Sequence, residues 1–315
     1  MKVVIMEALG ISAQELAARK APFEAQGVQF VDYPRTTDVK KLIDQAKDAD
    51  AMILANMPMP AEVLRACQKL RFIDVAFTGV DHVGLDAARE RGIAVSNASG
   101  YSNEAVAELV LGMVLSMARN LRAVEDRCRA AGTKDGLVGW ELKGKSVGIV
   151  GLGKIGTRSA ELFHAFGAKL LASSRTVHKD APAWVEQTNL EDLLRRSDVV
   201  VLHCPLNDST RNLINAERLA LMKPTSLLVN VARGPVVETS ALVDALQRGA
   251  IAGACLDVFP TEPPLDVHAP IINAPKTLLT PHVAFATIES MSLRAEIVFD
   301  NLRAWMEGRQ QNAVL

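Results

Sequence analysis

The 315-residue chain lacks an excess of either charge: 35 Lys and Arg stand against 36 Asp and Glu, and no run of basic residues occurs. Nucleic acid and anionic membrane surfaces recruit basic patches, so neither is expected as a partner. Long apolar runs are also missing. No stretch approaches the roughly 20 residues of a membrane span, and the apolar part of "MKVVIMEALG" is too short for a signal sequence, which makes the cytoplasm the expected location. Paired cysteines are absent too. Cys67, Cys128, Cys204 and Cys255 are scattered without the spacing of a zinc site or a redox dithiol, so reduced structural thiols and no metal are expected. There is no internal repeat and no low-complexity segment. What is present is 49% hydrophobic and 23% charged residues, the balance of a globular protein, at a length that suits two domains.

The first third alternates short β-rich runs with amphipathic segments: "VVIM" (3–6), "VQFV" (28–31), "AMILA" (51–55), "FIDVA" (72–76) and "IAV" (93–95). Such alternation implies parallel strands joined by helical crossovers, here a small flavodoxin-like sheet. An apolar helical pattern follows over 103–122 and could bridge two domains. A second alternation, "SVGIV" (146–150), "KLLAS" (169–173), "DVVVLH" (198–203), "SLLVN" (226–230), "IAGACLDV" (251–258) and "TLLT" (277–280), predicts six strands of a doubly wound Rossmann sheet, with helices over 190–196 and 240–248. The last helical stretch, 288–307, lies outside that sheet and is expected to return to the first domain. The fold is thus α/β with two domains: 1–100 plus 288–315, discontinuous, and 101–287.

"VGIVGLGKIG" places Gly151, Gly153 and Gly156 in G-x-G-x-x-G spacing between a strand and a helix. In that setting the first glycine permits the tight turn, the second the approach of a pyrophosphate and the third the contact of helix with strand. About 20 residues on, dinucleotide sites that take NAD usually carry Asp or Glu for the ribose hydroxyls. Here that carboxylate is missing and "SRT", Ser174, Arg175 and Thr176, stands instead. A guanidinium grips a phosphate through paired donors and the hydroxyls add further contacts, which points to NADP, with NAD still open.

Three more strand ends carry polar residues on sharp turns: Arg233 in "VNVARGPVV", Glu262 in "LDVFPTEPP" and His282 in "LLTPHVAFAT". Ligands of open α/β sheets bind at the carboxyl ends of the strands, so an acid or base, a carboxylate to orient it and a fixed cation should face one crevice. With these stretches, and with "FTGVDHVGLDAA", "NASGYSNEAVAELVLG", "HCPLNDSTRNLI" and "TPHVA", the chain resembles the D-isomer-specific 2-hydroxyacid dehydrogenase family over essentially its whole length.

The resemblance implies two α/β domains, a substrate domain and a dinucleotide-binding domain, with the active site in the cleft between them, and usually a homodimer, with the arm around Trp140 at its contact. It makes His282 the general acid and base, Glu262 the partner of its imidazole, and Arg233 the group that binds the substrate carboxylate and polarises the carbonyl. Thr78 and Gly79 match backbone donors to that carboxylate. Ile155 and Gly156 match the pyrophosphate turn, His203, Cys204 and Pro205 the lining of the adenosine pocket, and Asp257, with main-chain groups of Val231 and Ala232, the nicotinamide carboxamide site. The "NMPMP" loop (56–60) should overlook the substrate, its methionines either shaping an apolar pocket or belonging to the core. "SRT" resembles the NADP-preferring glyoxylate and hydroxypyruvate reductases of the family. The implied activity is reversible reduction of a small 2-keto acid to the D-2-hydroxy acid. Two alternatives stay open: a dinucleotide-sensing scaffold like the family's corepressors, and a formate or phosphite dehydrogenase, although formate enzymes carry Gln where Glu262 stands.

Overall fold

The five β-rich runs of the first third form one parallel sheet in the computed structural model, which describes residues 1–261 and 264–315. Its strands are β1 (Lys2–Ile5), β2 (Gln29–Asp32), β3 (Ala51–Leu54), β4 (Phe72–Val75) and β5 (Ala94–Asn97), in the order β2-β1-β3-β4-β5. Helices α1 (Ala13–Glu24), α2 (Val39–Ala46), α3 (Ala61–Ala66) and α4 (Leu85–Glu90) make the crossovers. β3 and β4 are buried along their whole length, as central strands of a parallel sheet covered on both faces must be.

The C-terminal helix, Ile288–Met306, belongs to this unit. A reciprocal cap between Thr287 and Ser290 starts it, and Trp305 stacks on Phe72 of β4 with centroids 4.8 Å apart. Asn301 donates to Asp74 Oδ1 at 3.0 Å and to the Asn97 carbonyl at 3.1 Å, while Asn312 donates to Asn301 Oδ1 at 2.8 Å. The tail beyond the helix pairs antiparallel with β5 through Ser96 and Ala313, which covers the edge that β5 would otherwise expose.

The second unit is a seven-stranded parallel sheet of β6 (Ser146–Val150), β7 (Lys169–Ser173), β8 (Val185–Gln187), β9 (Val199–Leu202), β10 (Leu227–Asn230), β11 (Gly253–Leu256) and β12 (Thr277–Leu279), ordered β12-β11-β10-β9-β6-β7-β8. This is the doubly wound Rossmann order with one strand more than the six predicted. β8 has three residues, "VEQ", and only Val185 is buried, so no apolar run announces it. The helices are α5 (Asn103–Ala118), α6 (Leu121–Arg129), α7 (Lys154–Ala165), α8 (Leu190–Arg196), α9 (Ala216–Leu219) and α10 (Thr239–Gln247). The single helix predicted over 103–122 is broken at Asn120, which takes φ 53°, and α6 buries no residue. α5 packs on α7, β10 and β11 within this unit.

The chain divides into Met1–Ser102 with Ala286–Leu315 and Asn103–Phe285.

Candidate active site

β6 runs straight into the glycine turn. Gly151 takes φ +100°, and a Cβ there would come within 2.8 Å of the His203 and Cys204 backbone. A Cβ at Gly156 would lie 2.0 Å from the Gly151 carbonyl oxygen, so α7 can approach the strand end only with a hydrogen at that position. Gly153, the N-cap of α7, is the opposite case: a Cβ would meet nothing within 4 Å, and no side chain caps the helix. The N–H groups of the first turn of α7 are therefore available to a phosphate, and the open space at Gly153 gives it room. A cavity of about 610 Å³ opens here, lined by Leu152, Gly153, Lys154 and Thr157 and, on the β7–β8 loop, by His178 and Lys179. The residues present fit a dinucleotide pyrophosphate. Lys154 and Lys179 escaped the sequence reading, although Lys154 lies inside the glycine motif.

Ser174 stands at the end of β7, and its Oγ accepts the Leu152 N–H at 2.9 Å. The hydroxyl therefore ties the end of β7 to the glycine turn and keeps its own proton as a donor. Arg175 and Thr176 are exposed, and Arg175 has no protein partner among the described residues. At the end of β9, His203 Nε2 lies 2.9 Å from Ser159 Oγ on α7, and burial of the ring pulls the imidazole pKa down to about 4, so it is neutral at physiological pH. Burial pushes the Cys204 thiol up to about 11, which keeps it protonated.

At the end of β10, Asn230 Oδ1 accepts the Ala232 N–H at 3.1 Å and Asn230 Nδ2 donates to the Arg233 carbonyl at 3.0 Å. This side-chain turn presents Arg233, whose Nη1 donates to the Ala232 carbonyl at 2.9 Å. A Cβ on Gly234 would sit 1.9 Å from the carbonyl carbon of Phe259, so the turns that follow β10 and β11 are in backbone contact.

Beyond β11, Asp257 is fully buried. Its Oδ1 accepts from the Thr280 hydroxyl at 2.6 Å and the Val283 N–H at 2.9 Å, and its Oδ2 from the Ala284 N–H at 2.9 Å. Burial raises the carboxyl pKa against the pull of these bonds. His282 lies inside the turn so held, with φ +56° and its N–H donating to the Asp257 carbonyl at 2.8 Å. A left-handed histidine backbone is uncommon and persists where its surroundings fix it. Its ring meets Phe285 edge to face, centroids 5.5 Å apart.

In the first unit, the Thr78–Gly79 turn follows β4. Asn97 Nδ2 donates to the Thr78 carbonyl at 2.7 Å, and Thr78 Oγ is shielded from solvent without a hydrogen-bond partner among the described residues. An unsatisfied buried hydroxyl is costly, and a bound polar group would satisfy it. Met57 and Met59 of the loop after β3 are fully buried, so they belong to the core and do not shape a pocket.

Residues 111–284 match the family model for the D-isomer specific 2-hydroxyacid dehydrogenase NAD binding domain. The chain belongs to this family. It is 40% identical over 295 residues to a glyoxylate reductase of Thermofilum pendens, covering 90% of this chain and 86% of that protein. It is 32% identical to a hydroxypyruvate reductase of Blautia hydrogenotrophica, over 100% of this chain and 99% of the other. Among solved structures, the TT0316 protein of Thermus thermophilus superposes with a TM-score of 0.90 at 34% identity over the full length of both chains.

As a 2-hydroxyacid dehydrogenase the protein is an oxidoreductase with a nicotinamide-dinucleotide domain, and several strand-end residues acquire a clear setting. In the second unit, Ile155 follows Lys154 in the first turn of α7, and Val231 and Ala232 precede Arg233 in the turn after β10. Pro205 is exposed beside the buried Cys204. Asp257 accepts three hydrogen bonds from the His282 turn, a role the sequence did not suggest. Glu262 lies outside the described residues.

Proposed function

We propose that this 2-hydroxyacid dehydrogenase reduces a small 2-keto acid of the glyoxylate or hydroxypyruvate type to the D-2-hydroxy acid, with NADPH preferred over NADH. The observation that carries the cofactor preference is the strand end at β7: a hydroxyl bonded to Leu152 where a carboxylate would repel a 2′-phosphate, followed by the exposed, unpaired Arg175. Lys154 and Lys179 line the cavity at the glycine turn, with Arg158 and the carboxylates Glu104, Glu161 and Asp180. The relatives named glyoxylate and hydroxypyruvate reductase support the substrate class.

The bound cofactor supplies the hydride. The chain's own residues do the rest: Arg233 pairs with the substrate carboxylate and stabilises negative charge as it grows on the keto oxygen. His282 gives that oxygen a proton in reduction and takes it back in the reverse direction. Glu262 pairs with the other ring nitrogen, fixing the tautomer and favouring the imidazolium. The backbone donors of Thr78 and Gly79 hold the carboxylate.

A panel of 2-keto acids with NADPH and NADH, followed by absorbance, tests both parts. We expect turnover of glyoxylate or hydroxypyruvate, a kcat/KM at least about tenfold higher with NADPH, and loss of that advantage in Arg175→Ala. Equal efficiency with NADH overturns the cofactor preference. Binding of dinucleotide without turnover of any keto acid overturns the reaction in favour of a sensor.

A further inference from the structure

The carboxyl edge of the first unit's sheet carries a polar assembly outside the residues considered so far. Glu7, just past β1, is buried, and its Oε1 accepts two backbone N–H groups of the loop after β3: Ala55 at 2.7 Å and Met57 at 2.8 Å. A carboxylate with two backbone donors fixes the path of that loop. Met57 and Met59 anchor it from below, and the Met59 N–H donates to the His82 carbonyl while the Met59 carbonyl accepts from Gly84, both at 2.9 Å. The loop is thereby tied to the segment that follows Thr78 and Gly79.

With both methionines in the core, Asn56 is the polar side chain left on the outer side of the loop. Arg35, after β2, donates through Nη1 to Asn56 Oδ1 at 2.9 Å and lies 3.6 Å from Glu7 Oε2. A guanidinium can only donate, so the amide oxygen must face Arg35 and the Asn56 NH2 must face away. That NH2 has no protein partner among the described residues. β3 and β4 are neighbours that pair up to Leu54 and Val75, so the loop carrying Asn56 and the turn carrying Thr78 leave adjacent strand ends.

We infer that Asn56, its amide orientation set by Arg35 and its loop held by Glu7, reads an oxygen on the third carbon of the substrate, so that the site selects 3-oxygenated 2-keto acids, hydroxypyruvate above pyruvate. This rests on the proposed function, in which Thr78 and Gly79 hold the substrate carboxylate. A 2-keto acid anchored there brings its third carbon within reach of the neighbouring strand end. The Asn56 NH2 offers donors to a hydroxyl and nothing to a methyl, and a site built to hydrogen-bond an oxygen discriminates against the analogue that lacks it. Glu7 acts as a positioning residue through the loop.

The test is steady-state reduction of hydroxypyruvate, pyruvate and glyoxylate by the full-length protein with NADPH, for the wild type, Asn56→Leu, Arg35→Ala, Arg35→Lys and Glu7→Gln. We expect the wild type to favour hydroxypyruvate over pyruvate. Asn56→Leu should cut that ratio of kcat/KM about tenfold, chiefly through KM for hydroxypyruvate, as loss of one hydrogen bond predicts. Arg35→Ala should lower the ratio by several-fold, Arg35→Lys should restore part of it, and Glu7→Gln should raise KM for hydroxypyruvate more than for glyoxylate. Arg35 is exposed, so its substitution leaves the fold intact and keeps the test decisive. A ratio unchanged in both Asn56→Leu and Arg35→Ala, with active enzyme, overturns the inference alone. A wild type that turns over none of the three acids overturns the underlying function with it.

Discussion

Gly234 leaves no room for a side chain, because the turn carrying Arg233 rests on the Phe259 backbone. Gly234→Ala is therefore expected to cost about 3 kcal/mol in urea unfolding and to move Arg233, with kcat/KM falling at least tenfold. Asp257→Asn sets an NH2 group against backbone N–H donors of the His282 turn, and should cost about 1–3 kcal/mol together with a loss of kcat. Asp74 offers a test by pH. It is fully buried, Asn301 donates to one oxygen, its Oδ2 has no partner among the described residues, and burial raises its carboxyl pKa well above the ordinary 3.8. The stability contributed by the bound proton is full below about 3.8 and is lost as the pH rises, because the unfolded chain ionises first. Asp74→Asn should raise the melting temperature at pH 8 and flatten its dependence on pH. The roles of Asp257 and Asp74 were not legible in the sequence: both depend on partners far along the chain, Val283 and Asn301, which no local pattern brings together.

At the scale of elements, the strand runs and the glycine turn were legible because parallel strands buried on both faces read as continuous apolar runs. β8 was not, since a three-residue edge strand needs no such run, and the break at Asn120 was hidden by an apolar pattern that reaches it from the α5 side alone. The contact of His203 with Ser159 ties the end of β9 to α7, the helix that begins at the glycine turn. The His203 pKa lies near 4 in the folded protein against 6.5 in the unfolded chain, so its stabilisation is present above about 6.5 and lost as the pH falls towards 4. Unfolding titrations at pH 7 and pH 5 should show this loss in the wild type and less of it in His203→Asn. The tail strand is a second element-scale test: removing residues 310–315 uncovers the β5 edge and takes away the Asn312 bond to Asn301, and should lower the melting temperature and promote association.

For the whole molecule, the order of the seven-stranded sheet puts the glycine turn, Ser174, Arg233, Asp257 and His282 at carboxyl ends of strands of one unit, and the sequence motifs already implied as much. What the motifs could not show is how the His282 turn is built, with a left-handed backbone held by a buried carboxylate. The proposed reaction rests on that histidine. The direct test is His282→Asn, assayed with hydroxypyruvate and NADPH alongside a measurement of NADPH binding. The predicted result is a fall in kcat of about 10²–10⁴ with the NADPH Kd within about twofold of wild type. Unchanged turnover would contradict the account.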